Sequence, residues 1–401
     1  MLDVKLLDRK WFMFLATFVF LEPYYFFFEA GLVNTLYKGA MILFFLVGVW
    51  LAFRLKEMPS AVLVFAVAYC AIQGIAQVVI AKTAFIYMRE SISIISLCLF
   101  CWMGVRRNLV SLMGGLTLSF EVLLYANLLT LFIFPQGMYT TEYNGVKAWE
   151  NWLLGYRNVQ IRTLLLGACA SLMYSYMTTK KVSLRAISFI VFTGVTILYI
   201  KSATSLIGFV VFAGLFLCFM RRPLPRWINI ASANMVAITV FTLIVTVGIQ
   251  YLFSFVIVNV LHRELDFTNR DVVWRTAWIC ITQSPLWGRG DFLVSDLLGK
   301  YAHPHNYWLN ILLRGGIMLC LPVILAYIFA TRGTMKSKEA ILAKYLVITM
   351  VSFAVMGIVE SLTEADMLFP LLLIAHEMGR KDLSLLEVRN TRTLNLLRRQ
   401  A

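Results

Sequence analysis

The chain has 401 residues, of which 60% are hydrophobic and only 14% charged, with a formal net charge of +15 and a mean hydropathy of +0.79. Soluble domains carry about a quarter charged residues, so this balance excludes an ordinary soluble domain. Apolar runs of roughly 20 residues recur along the whole length, each long enough to cross a bilayer as a helix, and the alternating pattern of a membrane β-barrel is absent. The expected fold class is an all-α polytopic membrane protein, 1–401 forming one membrane domain.

Twelve spans are predicted in chain order, at 11–28, 36–53, 60–80, 91–105, 109–134, 161–178, 186–200, 203–220, 228–258, 306–330, 340–358 and 362–378. The first run is too long for a cleavable signal peptide, and no small-residue cleavage site follows it. The ninth is too long for one simple crossing, so it is expected to tilt or to continue beyond the membrane. With the N-terminus inside, about two thirds of the basic residues fall on inside segments, among them "KLLDRK", "KKVSLR", "RRPLPR" and the tail 379–401. The high pI is therefore a signal of topology and not of nucleic-acid binding. The basic tail is expected to lie on anionic lipid headgroups.

The seven cysteines fall almost wholly inside spans and make no disulfide framework. Cys98 and Cys101 form a C-x-x-C that reads as packing within a membrane helix. Two outside segments are longer than simple connections, 135–160 and 259–305, and loops of that length are commonly functional. In the second, Thr268 and Asp271 match a capping box. Trp274, Trp278 and Ile281 then recur at helical spacing, and Pro285 with "GRG" at 288–290 ends the helix. Arg270 falls in its first turn, where free N–H groups favour an anion, and Arg275 is read as the ion-pair partner of Asp271.

"YAHPHNYWLN", 301–310, opens the tenth span. Pro304 biases His303 to an extended conformation, and a helix is expected from about Asn306. Asn306, Asn310 and Arg314 then share one helical face. A charge at the depth of Arg314 is expected to face the bundle interior or a wet cavity. His305 stands above this stripe, where a neutral imidazole accepts a proton at neutral pH. Arg89, Arg157 and Lys201 are further outward cations, able either to snorkel to headgroups or to bind one phosphorylated group. Glu360 and Glu364 read as a solvated face.

The stretch 269–317 resembles the signature region of the bacterial O-antigen ligase and Wzy polysaccharide polymerase superfamily. Arg270, Trp274, Pro285, Leu286, Gly288, Gly290, His303, His305, Asn306, Gly316 and Ile317 occupy the family's places, and "LLGYRN" at 153–158 and "SATSLIGF" at 202–209 resemble two upstream features. Many ligases carry an arginine where this chain has Lys201, and "LLGYRN" is more similar to the polymerases.

The resemblance implies a glycosyltransferase of GT-C-like architecture in the bacterial inner membrane, its termini cytoplasmic and its active site on the extracytoplasmic face. It implies transfer of a glycan from an undecaprenyl-pyrophosphate carrier to an acceptor hydroxyl, with inversion and without nucleotide, divalent metal or other cofactor. The implied partners are the undecaprenyl-pyrophosphate-linked oligosaccharide, membrane lipids, a flippase and a chain-length regulator. A polymerase extends a second lipid-linked repeat unit; a ligase loads lipid A–core. The residues fit these needs: His305 as base, Arg157, Arg270, Arg89 and Arg314 for the pyrophosphate, and His303, Asn306 and Asn310 for binding substrate. A third reading, a lipid-linked oligosaccharide flippase, fits less well, because polarity gathers at one outer face instead of along a pathway.

Overall fold

The structure, a computed structural model, describes residues 3–380 apart from 22, 24, 29–30, 82–83, 144–145, 249–253, 256–258, 260–269, 291–302 and 363–367. Its principal helices are α1 (Lys10–Phe18), α2 (Leu32–Leu55), α3 (Ala61–Ala76), α4 (Ala84–Arg107), α5 (Leu109–Ile133), α6 (Gln160–Thr179), α7 (Leu184–Ile200), α8 (Ala203–Cys218), α9 (Ile230–Val247), α10 (Arg270–Gln283), α11 (Tyr307–Lys336), α12 (Ala340–Met356) and α13 (Leu368–Met378). Each of the twelve expected spans overlaps one of these helices, and α10 is the helix expected in the large loop. Six of them, α2 to α5, α9 and α11, hold apolar stretches long enough to cross a membrane by length and composition.

The surface supports a lipid environment. Leu36, Leu43, Leu46 and Phe53 on α2, and Met235, Val236 and Val247 on α9, turn outward. Soluble monomers rarely expose apolar area on this scale, whereas lipid is its natural solvent. Inside, helices approach closely through small residues, as is usual between membrane helices. A Cβ on Gly115 of α5 would stand 2.7 Å from the backbone of Met13 on α1, so only glycine lets these two helices pack as they do. Ion pairs tie the helix ends far from the large loop: Arg107 meets Asp8 at 3.0 Å, and Arg106 meets buried Glu377 of α13 at 2.7 Å.

Several expected boundaries shift. The first span is broken: α1 ends at Phe18, and a single turn at Tyr25–Phe28 follows Pro23, which cannot continue a helix interior. The ninth stops at Val247, capped by Gly248 in the left-handed conformation (φ 72°). Within the twelfth, the described residues hold the helix Leu368–Met378, and 363–367 lie outside them. The tail 381–401 lies outside the described residues.

The loop 135–160 folds as a three-stranded antiparallel sheet, β1 (Tyr139–Tyr143), β2 (Val146–Trp152) and β3 (Gly155–Tyr156) in that spatial order. Its alternation is too short and aromatic-rich to stand out among helical runs. It is moored to the bundle at both ends. Trp152 Nε1 donates to the Phe134 carbonyl at 2.8 Å, and buried Asn127 of α5 accepts from Leu154 N at 3.0 Å. Gly155 turns the chain at φ 88°, delivering Arg157 and Asn158 to the start of α6.

Helix α11 is the pivot of the large-loop end. Its 30 residues contain a break at Gly315 and Gly316, the latter at φ 61°. A break of this kind frees backbone groups that hydrocarbon would leave unsatisfied. The segment after α10 satisfies them. Ile317 N donates to the Pro285 carbonyl at 2.9 Å, Met318 N to that of Leu286 at 3.1 Å, and Arg289 N to that of Leu313 at 2.7 Å. Gly288 (φ 66°) is so close that a Cβ would meet Gly315 N at 2.6 Å. The glycines of "PLWGRG" and "RGG" are thus two halves of one contact.

Candidate active site

Helix α10 packs across the N-terminal part of α11. Val273, Trp274, Ala277, Cys280 and Ile281 form a small core with Leu309 and Leu313, and Phe241 and Ile244 of α9 close it. At 100° per residue the stripe is centred on Ala277, so Trp278 falls on its flank and is 57% exposed. Trp278 therefore does not share the buried face expected of it. The predicted cap from Thr268 to Asp271, and the Asp271–Arg275 pair, lie outside the described side chains.

Trp274 anchors the histidine turn, its Nε1 donating to the Pro304 carbonyl at 2.8 Å. Pro304 fixes its own φ, and His305 then adopts φ 50°, a left-handed conformation uncommon for any residue but glycine. This reversal brings both imidazoles to one side, with ring centroids 4.5 Å apart. The next residue, Asn306, caps α11: its Oδ1 accepts from Leu309 N at 2.9 Å, and its Nδ2 donates to the Ile358 carbonyl at 3.1 Å. Tyr307 N donates to the Gly357 carbonyl at 2.9 Å. The histidine turn is therefore fastened to the segment that leaves α12.

That segment carries Glu360. Its Oε1 stands 3.6 Å from His303 Nε2 and 3.6 Å from His305 Nδ1, and it accepts from Ser361 N at 3.2 Å. Its Oε2 accepts from Asn158 Nδ2 at 3.2 Å. Glu360 is buried, not the solvated face expected from sequence. Burial alone would raise its pKa; the neighbouring imidazoles of His305 and His303, with Arg270, outweigh it and hold the carboxyl at about 2. Burial, the charge of His305 and the more distant Arg314 and Arg162 lower His303 to about 3, against the opposing pull of Glu360. At neutral pH His303 is neutral and Glu360 ionised. Arg270 remains a permanent positive charge near that carboxylate.

The expected cations are partly gathered here. Arg270 Nη1 donates to the Val359 carbonyl at 2.6 Å, bridging α10 to the residue before Glu360. Arg314, with Asn306 and Asn310, is buried, as their common face required. Arg162, in the first turn of α6, adds a buried cation that sequence reading did not select. Arg157 lies next to Asn158, its Nε donating to Tyr156 Oη at 2.9 Å and its guanidinium lying over the Tyr156 ring. Arg89 is half-buried near the start of α4, a helix whose main contacts are with α13, α3 and α2; its place in the site rests on sequence alone. Lys201 is exposed at the turn between α7 and α8.

His303, His305 and Glu360 each offer one ligand atom, all within 4.8 Å of one another, a composition that binds divalent metals. The sequence supplied no third ligand near the histidines, because Glu360 lies a whole helix pair further along. Glu360 and Asn158 are side chains at the histidines that sequence reasoning did not select. The available signal was topological: Glu360 follows an apolar run ending on the face where the tenth span begins.

Residues 187–324 match the family model Wzy_C, described as O-antigen ligase. The match spans about a third of the chain, from α7 through the break in α11, and it bears out the resemblance to the O-antigen ligase and Wzy superfamily without separating its two branches. No curated protein matches the chain. Helices and family together describe an integral membrane protein with an O-antigen ligase or polymerase type of function.

Proposed function

We propose that the chain is an inverting, metal-independent polysaccharide polymerase. It transfers a glycan from an undecaprenyl-pyrophosphate carrier to a sugar hydroxyl of another lipid-linked repeat unit, at the extracytoplasmic face. The observation that carries this is the pairing of His305 with buried, ionised Glu360 at the mouth of a span lined by Asn310 and Arg314. His305 takes the proton of the acceptor hydroxyl. The freed oxygen forms a bond to the anomeric carbon from the face opposite the leaving group. The bond from that carbon to the pyrophosphate oxygen breaks, and the electron pair leaves with the undecaprenyl pyrophosphate. That leaving group needs cations more than a strong acid, and Arg157, Arg270 and Arg314 are assigned to hold it, with Arg89 as the fourth candidate. His303, neutral and against His305, orients the acceptor.

The polymerase is favoured over the ligase by "LLGYRN" and by Lys201 in the place where many ligases carry arginine. Purified protein reconstituted with lipid-linked repeat units tests this. A ladder of longer lipid-linked glycans supports the polymerase. Growth of a lipid A–core acceptor without a ladder moves the assignment to ligase, and transbilayer movement without transfer moves it to a flippase.

A further inference from the structure

A line of partly buried hydrogen bonds runs behind the histidines and joins three segments distant in sequence. Ser202, buried at the N-cap of α8, donates from Oγ to Asn158 Oδ1 at 2.7 Å, and Asn158 Nδ2 donates to Glu360 Oε2 at 3.2 Å. A carboxylate only accepts, so the amide must turn its NH₂ toward Glu360 and its oxygen toward Ser202. The direction of every bond is thereby fixed. With Oε2 engaged by Asn158 and Oε1 touched by Ser361 N, the carboxylate cannot rotate away from the imidazoles.

The anchor is itself anchored. Ser202 Oγ also accepts from Ser205 N at 3.3 Å, the ordinary N-cap bond, and Ser205 Oγ donates to the Arg157 carbonyl at 3.4 Å. The first turn of α8 therefore grips both the backbone of Arg157 and the side chain of Asn158. "LLGYRN" and "SATS" are then explained together, as the two halves of one support.

The geometry points to Ser202 and Asn158 as positioning residues, a relay that holds the Glu360 carboxylate in register with His305. They touch neither substrate nor reacting atoms. The inference rests on the proposed transfer for its kinetic consequence, but not for its structural one. Without the relay, Glu360 would still be present yet free to turn, and the imidazole would lose its fixed orientation. In general such loosening lowers turnover while leaving binding intact.

The test uses the full chain in lipid nanodiscs and two readouts. Asn158→Asp keeps the shape, removes the donor and sets a carboxylate against Glu360. The expected result is a fall in kcat of roughly 100-fold with KM within about twofold, and a displaced pH–rate profile. Ser202→Ala, which leaves Asn158 in place, falls by roughly 10-fold, and Ser202→Thr restores turnover. The second readout is the ring-nitrogen signals of His305 in histidine-labelled protein, which Asn158→Asp shifts and a remote surface substitution does not. If the wild type transfers normally while both variants keep its kcat, pH profile and ring signals, the relay is wrong and the transferase stands. If the ring signals move but no glycan is transferred by any form, the transferase is wrong and the relay stands. Loss confined to KM, with ring signals unmoved, overturns the positioning role.

Discussion

His305 Nδ1 faces Glu360 Oε1 at 3.6 Å, across two helices that sequence alone does not connect. The distance is longer than a hydrogen bond, and catalytic contacts of this kind commonly tighten when substrate binds. Glu360→Gln keeps the shape and the Asn158 neighbour but removes the charge that supports a histidine taking up a proton. The expected outcome is a loss of roughly 100-fold or more in kcat with a nearly unchanged KM, read by steady-state transfer kinetics. Glu360→Asp should fall between the two.

Glu360 and the other histidine, His303, set a pH dependence of stability. His303 is lowered from 6.5 to about 3 and Glu360 from 4.5 to about 2. Below their ordinary values both groups bind more protons unfolded than folded, so stability rises with pH in those windows. The His303 contribution is complete above 6.5 and is lost as pH falls toward 3; that of Glu360 is complete above 4.5 and is lost toward 2. Thermal unfolding midpoints should fall steadily from pH 7 to pH 4. His303→Gln should flatten the part of that decline between 6.5 and 4.5.

Gly288 and Gly316 interlock loop and helix break, each at positive φ and each against backbone of the other segment. Gly316→Ala and Gly288→Ala are expected to destabilise by about 2 kcal/mol or more, from φ strain and backbone displacement together. Gly39→Ala, where nothing lies within 4 Å, should be neutral or stabilising by about 0.5–1 kcal/mol. Midpoints of thermal unfolding in detergent separate the two classes.

Arg270 serves two masters, the Val359 carbonyl and the proposed pyrophosphate. A guanidinium carries five N–H donors in a fixed fork, whereas an ammonium is a point charge. Arg270→Lys should therefore lose roughly 10- to 100-fold in kcat/KM, and Arg270→Ala more, at the scale of a charged hydrogen bond. Kinetics with varied donor concentration check this.

The histidine–Glu360 trio has the composition of a metal site, and the proposed mechanism does not use one. Transfer should continue at an unchanged rate after dialysis against a chelator. Loss of activity that zinc or manganese restores would recast the trio as a metal centre.

Much of this was legible in sequence because the bilayer simplifies the signal: an apolar run of span length has few ways to fold. A helix in each of the twelve expected segments, and α10 with Trp274 on its apolar face, follow from periodicity. The buried stripe Asn306, Asn310, Arg314 followed from spacing and the expense of a charge in lipid. Glu360 was misread because an acid at a span edge looks the same whether solvated or buried; only the packing of α12 and α13 against α11 distinguishes them. The sheet at 139–156 was missed because its strands are short and its moorings, Asn127 and Phe134, lie on a helix. Trp278 was misassigned because 274 and 278 are neighbours on a helix without both lying at the centre of its buried stripe.

The central claim is that His305 is the base of a glycan transfer. The most direct measurement is the rate of glycan elongation by purified His305→Ala protein, reconstituted with lipid-linked repeat units beside the wild type. The account predicts a ladder from the wild type and a rate at least about 100-fold lower from the variant, with folding and lipid-linked substrate binding retained. Elongation by His305→Ala at the wild-type rate would contradict it.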